Sequence, residues 1–193
     1  YIADGDNGLR IIDISNPSDI REIGFFDSYG GYTYDVIVSD NYAYIADGKY
    51  GLRIIDISDP SNPSEVGYFY TDDAHSIAIS GNCAYVTDYN VGLRIIDISD
   101  PSSPSEVGFF DTDGSSWDVA VNGNYVYVAD GYNGLRIIDV SNLSNLSEIE
   151  VFYTGDRALD VAISGNYVYV ADGISGLWII DIIDPSNPSE VGI

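Results

Sequence analysis

The chain contains 193 residues, of which 45% are hydrophobic, 13% aromatic and 20% charged. This composition is too apolar for a disordered chain, and the length allows one domain with a sizeable core. No apolar run reaches the roughly 18 residues that a membrane span needs. The 31 acidic residues against 7 basic ones give a net charge of -24, which disfavours nucleic acids and anionic membranes as partners.

Cys83 is the single cysteine, and methionine is absent. One thiol excludes an internal disulfide framework and sites built from several cysteines. The chain opens with Tyr1 and with neither a start methionine nor a signal peptide. We therefore expect a mature or partial chain.

One sequence unit recurs five times along the chain. The sequence G-L-R-I-I-D begins at Gly8, Gly51, Gly92 and Gly134, and G-L-W-I-I-D begins at Gly176. The intervals of 43, 41, 42 and 42 residues are typical of a repeat protein in which each unit is one small sheet. Within a single domain, the predicted units are approximately 1–33, 34–74, 75–116, 117–158 and 159–193.

Each complete unit predicts four strands in order. A run of the D-V-A-V type comes first, and a tight turn such as Asn122-Gly123-Asn124 leads to the run N-Y-V-Y-V-A-D. A short loop such as Asp47 to Gly51 leads to G-L-R-I-I-D, and a link containing Pro60 and Pro63 leads to S-E-V-G. No stretch has helical periodicity over ten or more residues, so the chain is predicted to be all-β.

Apolar residues occupy both faces of these strands, as at Ile54, Ile55 and Ile57. We therefore expect each sheet to be covered on both sides. Five four-stranded antiparallel sheets packed face against face form a β-propeller.

The first unit lacks its innermost strand, because the chain opens in a second strand, Tyr1 to Asp4, and closes in a fourth strand, Ser189 to Ile193. The vacant place exposes a backbone edge that seeks a partner. We expect a continuation of the chain beyond Ile193 to fill it. The alternatives are a strand donated by a neighbouring molecule, which gives self-assembly by strand complementation, and a larger ring of about six to eight blades.

The repeats resemble the LVIVD-repeat family of β-propellers, whose unit carries G-L-x-I-x-D followed by D-P-S-x-P. The residues that carry the resemblance are GLRIIDISDPSNPSEVG at Gly51 to Gly67 and its four counterparts. The pattern departs at Asn142 to Leu146, where the prolines are lost, and at Trp178, which replaces the repeated arginine. The resemblance implies an extracellular or cell-surface protein of archaeal or bacterial type, and it implies no shared enzymatic activity.

Four of the seven basic residues stand at one place in the third strand of the unit: Arg10, Arg53, Arg94 and Arg136. A guanidinium between packed sheets needs a carboxylate, because an unpaired buried charge costs several kcal/mol. We expect pairing from blade to blade with a repeated aspartate such as Asp47 or Asp56. Residues repeated in every unit build the blade, so function is sought where the units differ.

The units differ most just before the innermost strand, where Tyr34, His75, Trp117 and Leu159 occupy one place in the repeat. These four side chains are predicted to ring one entrance of the central channel. The loops that lead there also diverge and include Tyr32 and Arg157. These six residues are the candidate binding face, since aromatics beside carboxylates hold sugars or partner side chains. The alternative is that the aromatic residues plug the channel and pack between blades.

His75 is the only histidine, so neither a Ser-His-Asp arrangement nor a two-histidine metal site is expected. Cys83 replaces a tyrosine of the other units, which indicates a small buried thiol and not a nucleophile. We predict no catalytic residues and no cofactor.

Two further features are candidate modification or ion sites. Asp111 and Asp113 offer alternating oxygens beside a glycine, as calcium loops do, although the bidentate glutamate is missing. The alternative is a plain turn. Asn142 and Asn145 each begin an acceptor triplet for N-glycosylation, and the alternative there is an unmodified polar loop.

The leading hypothesis is a non-enzymatic module of the cell exterior that is structural or adhesive and binds proteins or glycans. It follows from near-identical repeats without a unique catalytic set, together with the resemblance. The alternative is a propeller hydrolase or lyase that uses carboxylates at the channel mouth.

Overall fold

A computed structural model describes residues 1–192, which form nineteen β-strands in five antiparallel sheets. Apart from one turn of 3₁₀ helix at Gly173–Ser175, these residues contain no helix. None of them therefore forms a helix that is long and apolar enough to cross a membrane. The all-β propeller predicted from the repeats is confirmed, with a three-stranded first sheet.

The five sheets follow one another along the chain. The first contains β1 (Ile2–Ala3), β2 (Leu9–Asp13) and β3 (Arg21–Phe26), and the second contains β4 (Asp35–Ser39), β5 (Tyr42–Ala46), β6 (Leu52–Asp56) and β7 (Ser64–Phe69). The third contains β8 (Ala74–Ser80), β9 (Cys83–Asp88), β10 (Gly92–Asp97) and β11 (Ser105–Phe110). The fourth contains β12 (Asp118–Asn122), β13 (Tyr125–Ala129), β14 (Leu135–Asp139) and β15 (Ser147–Phe152), and the fifth contains β16 (Ala158–Ser164), β17 (Tyr167–Asp172), β18 (Leu177–Asp181) and β19 (Ser189–Gly192).

Each sheet is a simple meander in which consecutive strands pair. The first strands of the complete sheets, β4, β8, β12 and β16, lie next to one another around the central channel. Backbone bridges join neighbouring sheets at this end, as where the amide of Ala74 donates to the carbonyl of Gly48 over 2.9 Å. The inner strands therefore form the wall of the channel.

Local sequence chemistry sets the turns. Gly81 and Gly123 have φ values of 58° and 60°, a conformation that suits glycine in tight hairpins. After the third strand, the carboxylate of Asp56 accepts a hydrogen bond from the amide of Ser58 over 2.8 Å, which turns the chain into the proline link. This contact holds the pKa of Asp56 below its usual value.

The core lies between the sheets, as four clusters at the four joints between neighbours. Leu52 and Ile54 face the third sheet, whereas Ile55 and Ile57 of the same strand region face the first. The middle three sheets are thus covered on both faces, as predicted.

The two outer sheets correct that prediction. Leu177 of the fifth sheet is 49% exposed, although its four counterparts in the other sheets are fully buried. Ile14 after β2 is 69% exposed, although Ile57, its counterpart in the second sheet, is 5% exposed. Within residues 1–192, the first and fifth sheets each pack another sheet on one face only, because the arc of five sheets stays open between them.

The first sheet has three strands, and β1 pairs only with β2. The other edge of β1 has no strand beside it among the described residues. Strand complementation at this edge stays a prediction, and the predicted end of the last strand at Ile193 lies outside the described residues.

The burial of the Tyr127 phenol predicts that the free energy of unfolding falls at alkaline pH. Its side chain is 1% exposed, and burial raises the pKa of the phenol from 10.0 to about 12. Because the folded-state pKa is the higher one, this stability is fully present below pH 10 and is lost as the pH rises through 12. We expect a loss of about 1.4 kcal/mol by pH 11. Urea unfolding at pH 8 and pH 11 measures it, and Tyr127→Phe should show a smaller loss than the wild-type protein; equal losses would contradict the assignment.

Candidate functional site

The start of each inner strand brings the four predicted channel residues together. Tyr34, His75, Trp117 and Leu159 line one cavity of about 260 Å³. The residue after each of them also lines it, and these are Asp35, Ser76, Asp118 and Asp160. The cavity is therefore a ring of apolar and aromatic groups with a ring of mainly acidic groups beside it, which we call the channel mouth.

Backbone geometry turns these side chains toward the mouth. The amides of Tyr34 and Trp117 donate to the carbonyls of Ala46 and Ala129, each over 2.8 Å, just before their strands begin. His75 and Leu159 each stand as an extra residue in a β-bulge of the inner strand. A bulge re-aims a side chain, which is why these residues reach the entrance although their strands begin earlier.

The aromatic groups form a continuous stack. The His75 ring lies 4.1 Å from the Tyr34 ring and 4.8 Å from the Tyr89 ring, centroid to centroid, and is nearly parallel to both. Trp117 meets His75 and Tyr89 edge-on, at 5.4 Å and 4.9 Å. Tyr34 is 45% exposed, so one end of the stack is open to a ligand.

Sequence reasoning missed Tyr89. The signal was present, because the other four repeats have glycine at this place: Gly5, Gly48, Gly131 and Gly173. Tyr89 is the one aromatic side chain there, and it fills the position behind His75 and Trp117. The replacement of a repeated glycine by tyrosine was therefore the sequence signal for a residue of the site in this loop.

Asp35, Ser76 and Asp118 form a polar bridge across three inner strands. The Ser76 hydroxyl lies 2.5 Å from an oxygen of Asp118 and 3.1 Å from an oxygen of Asp35. The hydroxyl has a single proton, so it donates to one carboxylate at a time. Burial raises the pKa of Asp118, against the opposing effect of its hydrogen bonds.

The same carboxylates join neighbouring blades. The amide of Ile77 donates to Asp35 over 2.9 Å, and the amide of Val161 donates to Asp118 over 2.7 Å. Asp160, the counterpart in the fifth sheet, is exposed and accepts no hydrogen bond from the described residues. It leaves a free carboxylate at the channel mouth.

Burial favours the neutral form of the His75 ring. Burial lowers its pKa, although Asp73, whose carboxylate lies 3.5 Å from Nε2, acts in the opposite direction. A neutral imidazole stacks on Tyr34 and Tyr89 without the cost of a buried charge.

The prediction that the repeated arginines pair from blade to blade is wrong. Each pairs with carboxylates of its own blade and not of the next. Arg136 Nε lies 2.9 Å from Asp130, and a terminal nitrogen lies 2.7 Å from Glu148. Arg53 likewise contacts Asp47 and Glu65 within the second sheet, whereas Asp56, the other predicted partner, caps its own turn.

The buried aspartates position the loops that lead to the channel mouth. Asp130 accepts hydrogen bonds from the hydroxyls of Thr112 and Ser116 over 2.8 Å and 3.0 Å, just before Trp117. The carboxylate of Asp47 likewise accepts a hydrogen bond from the hydroxyl of Thr33 over 2.9 Å, just before Tyr34. Burial raises the pKa of Asp47. The residues that recur in every repeat thus fix the loops, and these loops position the divergent residues of the channel mouth.

The two loop residues of the predicted binding face lie outside the channel-mouth cavity. Tyr32 packs 4.7 Å from Tyr34 and lines a neighbouring cavity of about 270 Å³ with Lys49 and Asp73. The Arg157 guanidinium lies 5.8 Å over the ring of Tyr132. The structure therefore brings four of the six predicted residues into one cavity, with Tyr32 next to it and Arg157 apart.

The candidate calcium loop is an Asx turn in the structure. The Asp111 carboxylate accepts a hydrogen bond from the amide of Asp113 over 2.9 Å. Residues 1–192 contain no group of three or more His, Cys, Asp or Glu side chains placed to hold a metal ion. Calcium binding at Asp111 and Asp113 stays a prediction.

Asn142 and Asn145 are exposed in the link that lost its prolines. The Asn142 side chain accepts a hydrogen bond from the amide of Ser144 over 3.2 Å, and glycosylation of either residue stays a prediction. Cys83 is free and half-buried, and burial raises the pKa of its thiol.

The fold is similar to that of several solved structures. A functionally unknown protein from Desulfotomaculum acetoxidans DSM 771 matches 98% of this chain with a TM-score of 0.78 and 19% identity. The computationally designed Ika8 and Ika4 proteins match 86% and 84% of it, with TM-scores of 0.71 and 0.67 and identities of 11% and 10%.

The chain spans 63% of the D. acetoxidans protein, 51% of Ika8 and 98% of Ika4. At these identities the likeness concerns the fold alone. A comparison with curated proteins finds no match.

The family model of the LVIVD repeat matches the chain five times. The matched residues are 1–28, 30–71, 72–112, 113–154 and 155–193. Each match contains one G-L-R-I-I-D or G-L-W-I-I-D core and all the strands of one sheet of the structure. The chain belongs to the LVIVD-repeat family.

Proposed function

We propose that this propeller is a non-enzymatic binding module of the cell exterior, with a structural or adhesive role, that holds part of a protein or glycan partner at the channel mouth. The observation that carries the proposal is the open aromatic stack of Tyr34, His75 and Tyr89, with Trp117 across it. Flat aromatic faces in a cavity bind sugar rings and partner side chains over a large contact area.

The charge of the cavity favours a protein partner with an exposed lysine or arginine. Three of the lining residues are the carboxylates Asp35, Asp118 and Asp160, and none is Lys or Arg. The four repeated arginines of this chain are already paired with Asp and Glu inside the blades. A cation that enters the mouth gains both the carboxylates and the faces of the aromatic rings.

The location outside the cell rests on the family resemblance and on the acidic, tyrosine-rich composition. Labelling of intact cells with an impermeant reagent tests it. The protein should be labelled before the cells are lysed.

Binding is tested with arrays of three probes: lysine- and arginine-containing peptides, neutral Ser/Gly peptides and neutral oligosaccharides. We expect the basic peptides to bind best. Tyr89→Gly restores the residue of the other four repeats and removes the ring that packs against His75 and Trp117, so it should weaken binding about tenfold because these two rings lose an aromatic contact that holds them in place. Tyr34→Ala should act in the same direction.

Tyr132→Ala is the matched control, because Tyr132 is an exposed aromatic residue outside the channel mouth. It should bind like the wild-type protein. Oligosaccharide binding that Tyr89→Gly weakens would make the partner a glycan. Binding that is absent for all three probes, or equal in Tyr89→Gly and Tyr132→Ala, would contradict the proposal.

A hydrolase or lyase remains the alternative function, and one observation favours it. Burial raises the pKa of Asp118, which is the direction that a general acid needs, and Asp160 places a second carboxylate in the same cavity. Turnover of a glycoside substrate that is abolished by Asp118→Asn would favour the enzyme.

A further inference from the structure

A groove lies at the opposite end of the inner strands from the channel mouth. It runs between the fourth and fifth sheets, beside the hairpin turns that join the first two strands of each, and has a volume of about 570 Å³. We call it the turn groove. The residues that define it include three asparagines, one tyrosine, one isoleucine and one proline: Asn122, Asn124, Asn166, Tyr125, Ile183 and Pro185.

Two departures from the repeat meet in the turn groove. Asn122 of the fourth sheet stands at the place where the other complete repeats have serine, namely Ser39, Ser80 and Ser164. Ile183 of the fifth sheet also stands at a place where the other repeats have serine, namely Ser15, Ser58, Ser99 and Ser141. Two sheets thus each contribute one divergent residue to the same groove.

The turn at Ile183 does not require isoleucine. The amide of Ile183 donates to the carboxylate of Asp181 over 2.8 Å, and the amide of Ser99 donates to Asp97 over the same distance. The backbone contact is therefore the same with either residue. The Ile183 side chain is 70% exposed, so it adds an apolar surface beside the groove that the turn itself does not need.

The matching groove between the second and third sheets shows what these departures change. It has a volume of about 260 Å³, and Asp40 is among the residues that line it. The place of Asp40 is taken by Gly123 in the turn groove, where none of the lining residues is charged. Sites for small ligands usually have volumes of about 300 to 1,000 Å³. The turn groove is therefore neutral and large enough for such a ligand.

The chemistry of the turn groove suits a sugar. Each asparagine amide carries an acceptor oxygen and two N–H donors, and a sugar hydroxyl likewise both accepts and donates. Asn122, Asn124 and Asn166 are all exposed, so their amides are accessible to a ligand. Ile183 and Tyr125 offer an apolar surface for the C–H face of a sugar ring. A charged ligand finds no opposite charge among the lining residues.

An extended peptide is a poorer fit, because peptides that add to a protein backbone need free main-chain donors and acceptors. The carbonyls of Asn124 and Asn166 at the two turns already accept hydrogen bonds from the amides of Val140 and Ile182, over 2.9 Å and 2.8 Å. The side-chain amides of the groove remain as its polar groups.

We propose that the turn groove is a binding site for a neutral oligosaccharide. The amides of Asn122, Asn124 and Asn166 hydrogen-bond the sugar hydroxyls, and Ile183 and Tyr125 contact the apolar face of one ring. The site lies at the far end of the inner strands from the channel mouth, so it does not depend on the function proposed for that mouth.

The probes for the test are neutral tetrasaccharides built from glucose, galactose, mannose or N-acetylglucosamine. In NMR titrations of the intact chain we expect at least one of them to bind, with a Kd of about 1 mM or lower. The side-chain amide signals of Asn122, Asn124 and Asn166 should shift. The signal of Asn133, which bonds to Asp130 at the other end of the fourth sheet, should not.

A double variant, Asn122→Ser with Ile183→Ser, gives the groove the serines of the other repeats. It should weaken sugar binding about tenfold or more, since it removes one amide and the apolar surface. Both side chains are exposed, so circular dichroism should show an unchanged fold. Ile174→Ser is the matched control, because Ile174 is 96% exposed and lies outside the groove. It should bind like the wild-type protein.

Tyr89→Gly, which changes the channel mouth, should also bind these sugars like the wild-type protein. Sugar binding that Tyr89→Gly weakens would move the site to the mouth and overturn the proposal. The absence of binding by every tetrasaccharide, or equal binding by the double variant and Ile174→Ser, would overturn it as well. A neutral Ser/Gly peptide that binds in place of the sugars, and that the double variant weakens, would make the groove a peptide site.

Discussion

Replacing Arg136 with alanine is expected to lower the free energy of unfolding by about 3 to 5 kcal/mol, the usual cost of breaking a buried ion pair from one side. The Asp130 side chain is fully buried and would lose the guanidinium that lies 2.9 Å from it. Glu148, 2.7 Å from the same arginine, would lose its partner as well. Urea unfolding at neutral pH measures the change.

Arg10→Ala is the matched control. Arg10 makes the same two contacts in the first sheet, at 3.0 Å and 2.8 Å, but its partner Asp4 is 44% exposed. Ion pairs in solvent contribute about 1 kcal/mol or less. If the two variants lose equal stability, burial does not determine the strength of this pair and the expectation is wrong.

The Arg136 variant should also loosen the channel mouth. Asp130 binds the hydroxyls of Thr112 and Ser116, which fix the loop just before Trp117. A carboxylate without its arginine is driven toward water. We therefore expect the Trp117 side chain to become more solvent-exposed in Arg136→Ala and to stay unchanged in Arg10→Ala. The fluorescence of Trp117, measured in a Trp178→Phe background, reports this exposure.

The repeat predicted the fold class and the number of sheets, but not the partners of the arginines. In the second sheet, Arg53 lies opposite Ile45 of the neighbouring strand. Side chains alternate along a strand, so Asp47 is on the same face as Ile45 and within diagonal reach of Arg53. The pairing depends on this register, which composition and spacing do not specify. A pairing between blades was therefore as plausible from the sequence as the one observed.

The residues of the channel mouth that share one position in the repeat could be predicted from the sequence. The residue that stands at a position where the other repeats have no side chain was missed. Tyr34, His75, Trp117 and Leu159 share one place in the repeat and meet in one cavity. Tyr89 stands where the other repeats have glycine, which has no side chain to compare. The polar bridge through Ser76 was also missed, because it depends on how closely three inner strands approach.

Replacing Gly67 with alanine is expected to lower the free energy of unfolding by about 3 kcal/mol, the upper end of the range for overpacking. Gly67 lies in the outer strand β7, and the link of the third sheet passes directly over it. A Cβ there would overlap the carbonyl oxygen of Pro101 and would lie 3.3 Å from Cδ of Pro104. Both groups belong to a rigid proline link, so neither yields as the end of a flexible side chain would.

The fourth sheet already carries a natural version of this change. Glu150 stands at the place of Gly67, and the groove beside the next link, lined by Tyr127 and Pro185, has a volume of about 570 Å³. The corresponding groove between the second and third sheets, lined by Tyr44 and Pro101, has about 260 Å³. The groove between the fourth and fifth sheets, where Glu150 replaces the glycine, is therefore the wider of the two.

Gly192→Ala separates this close approach from the general effect of changing a strand glycine. Gly192 occupies the same place in β19, and its added Cβ would meet nothing within 4 Å. We expect a change of about 0.5 kcal/mol or less, as for other surface substitutions. Equal losses in Gly67→Ala and Gly192→Ala at a concentration where both proteins are monomeric would mean that the strand, and not the neighbouring link, requires glycine. A large loss in Gly67→Ala alone would mean that the repeated glycine is needed because the link of one blade rests on the outer strand of the blade before it.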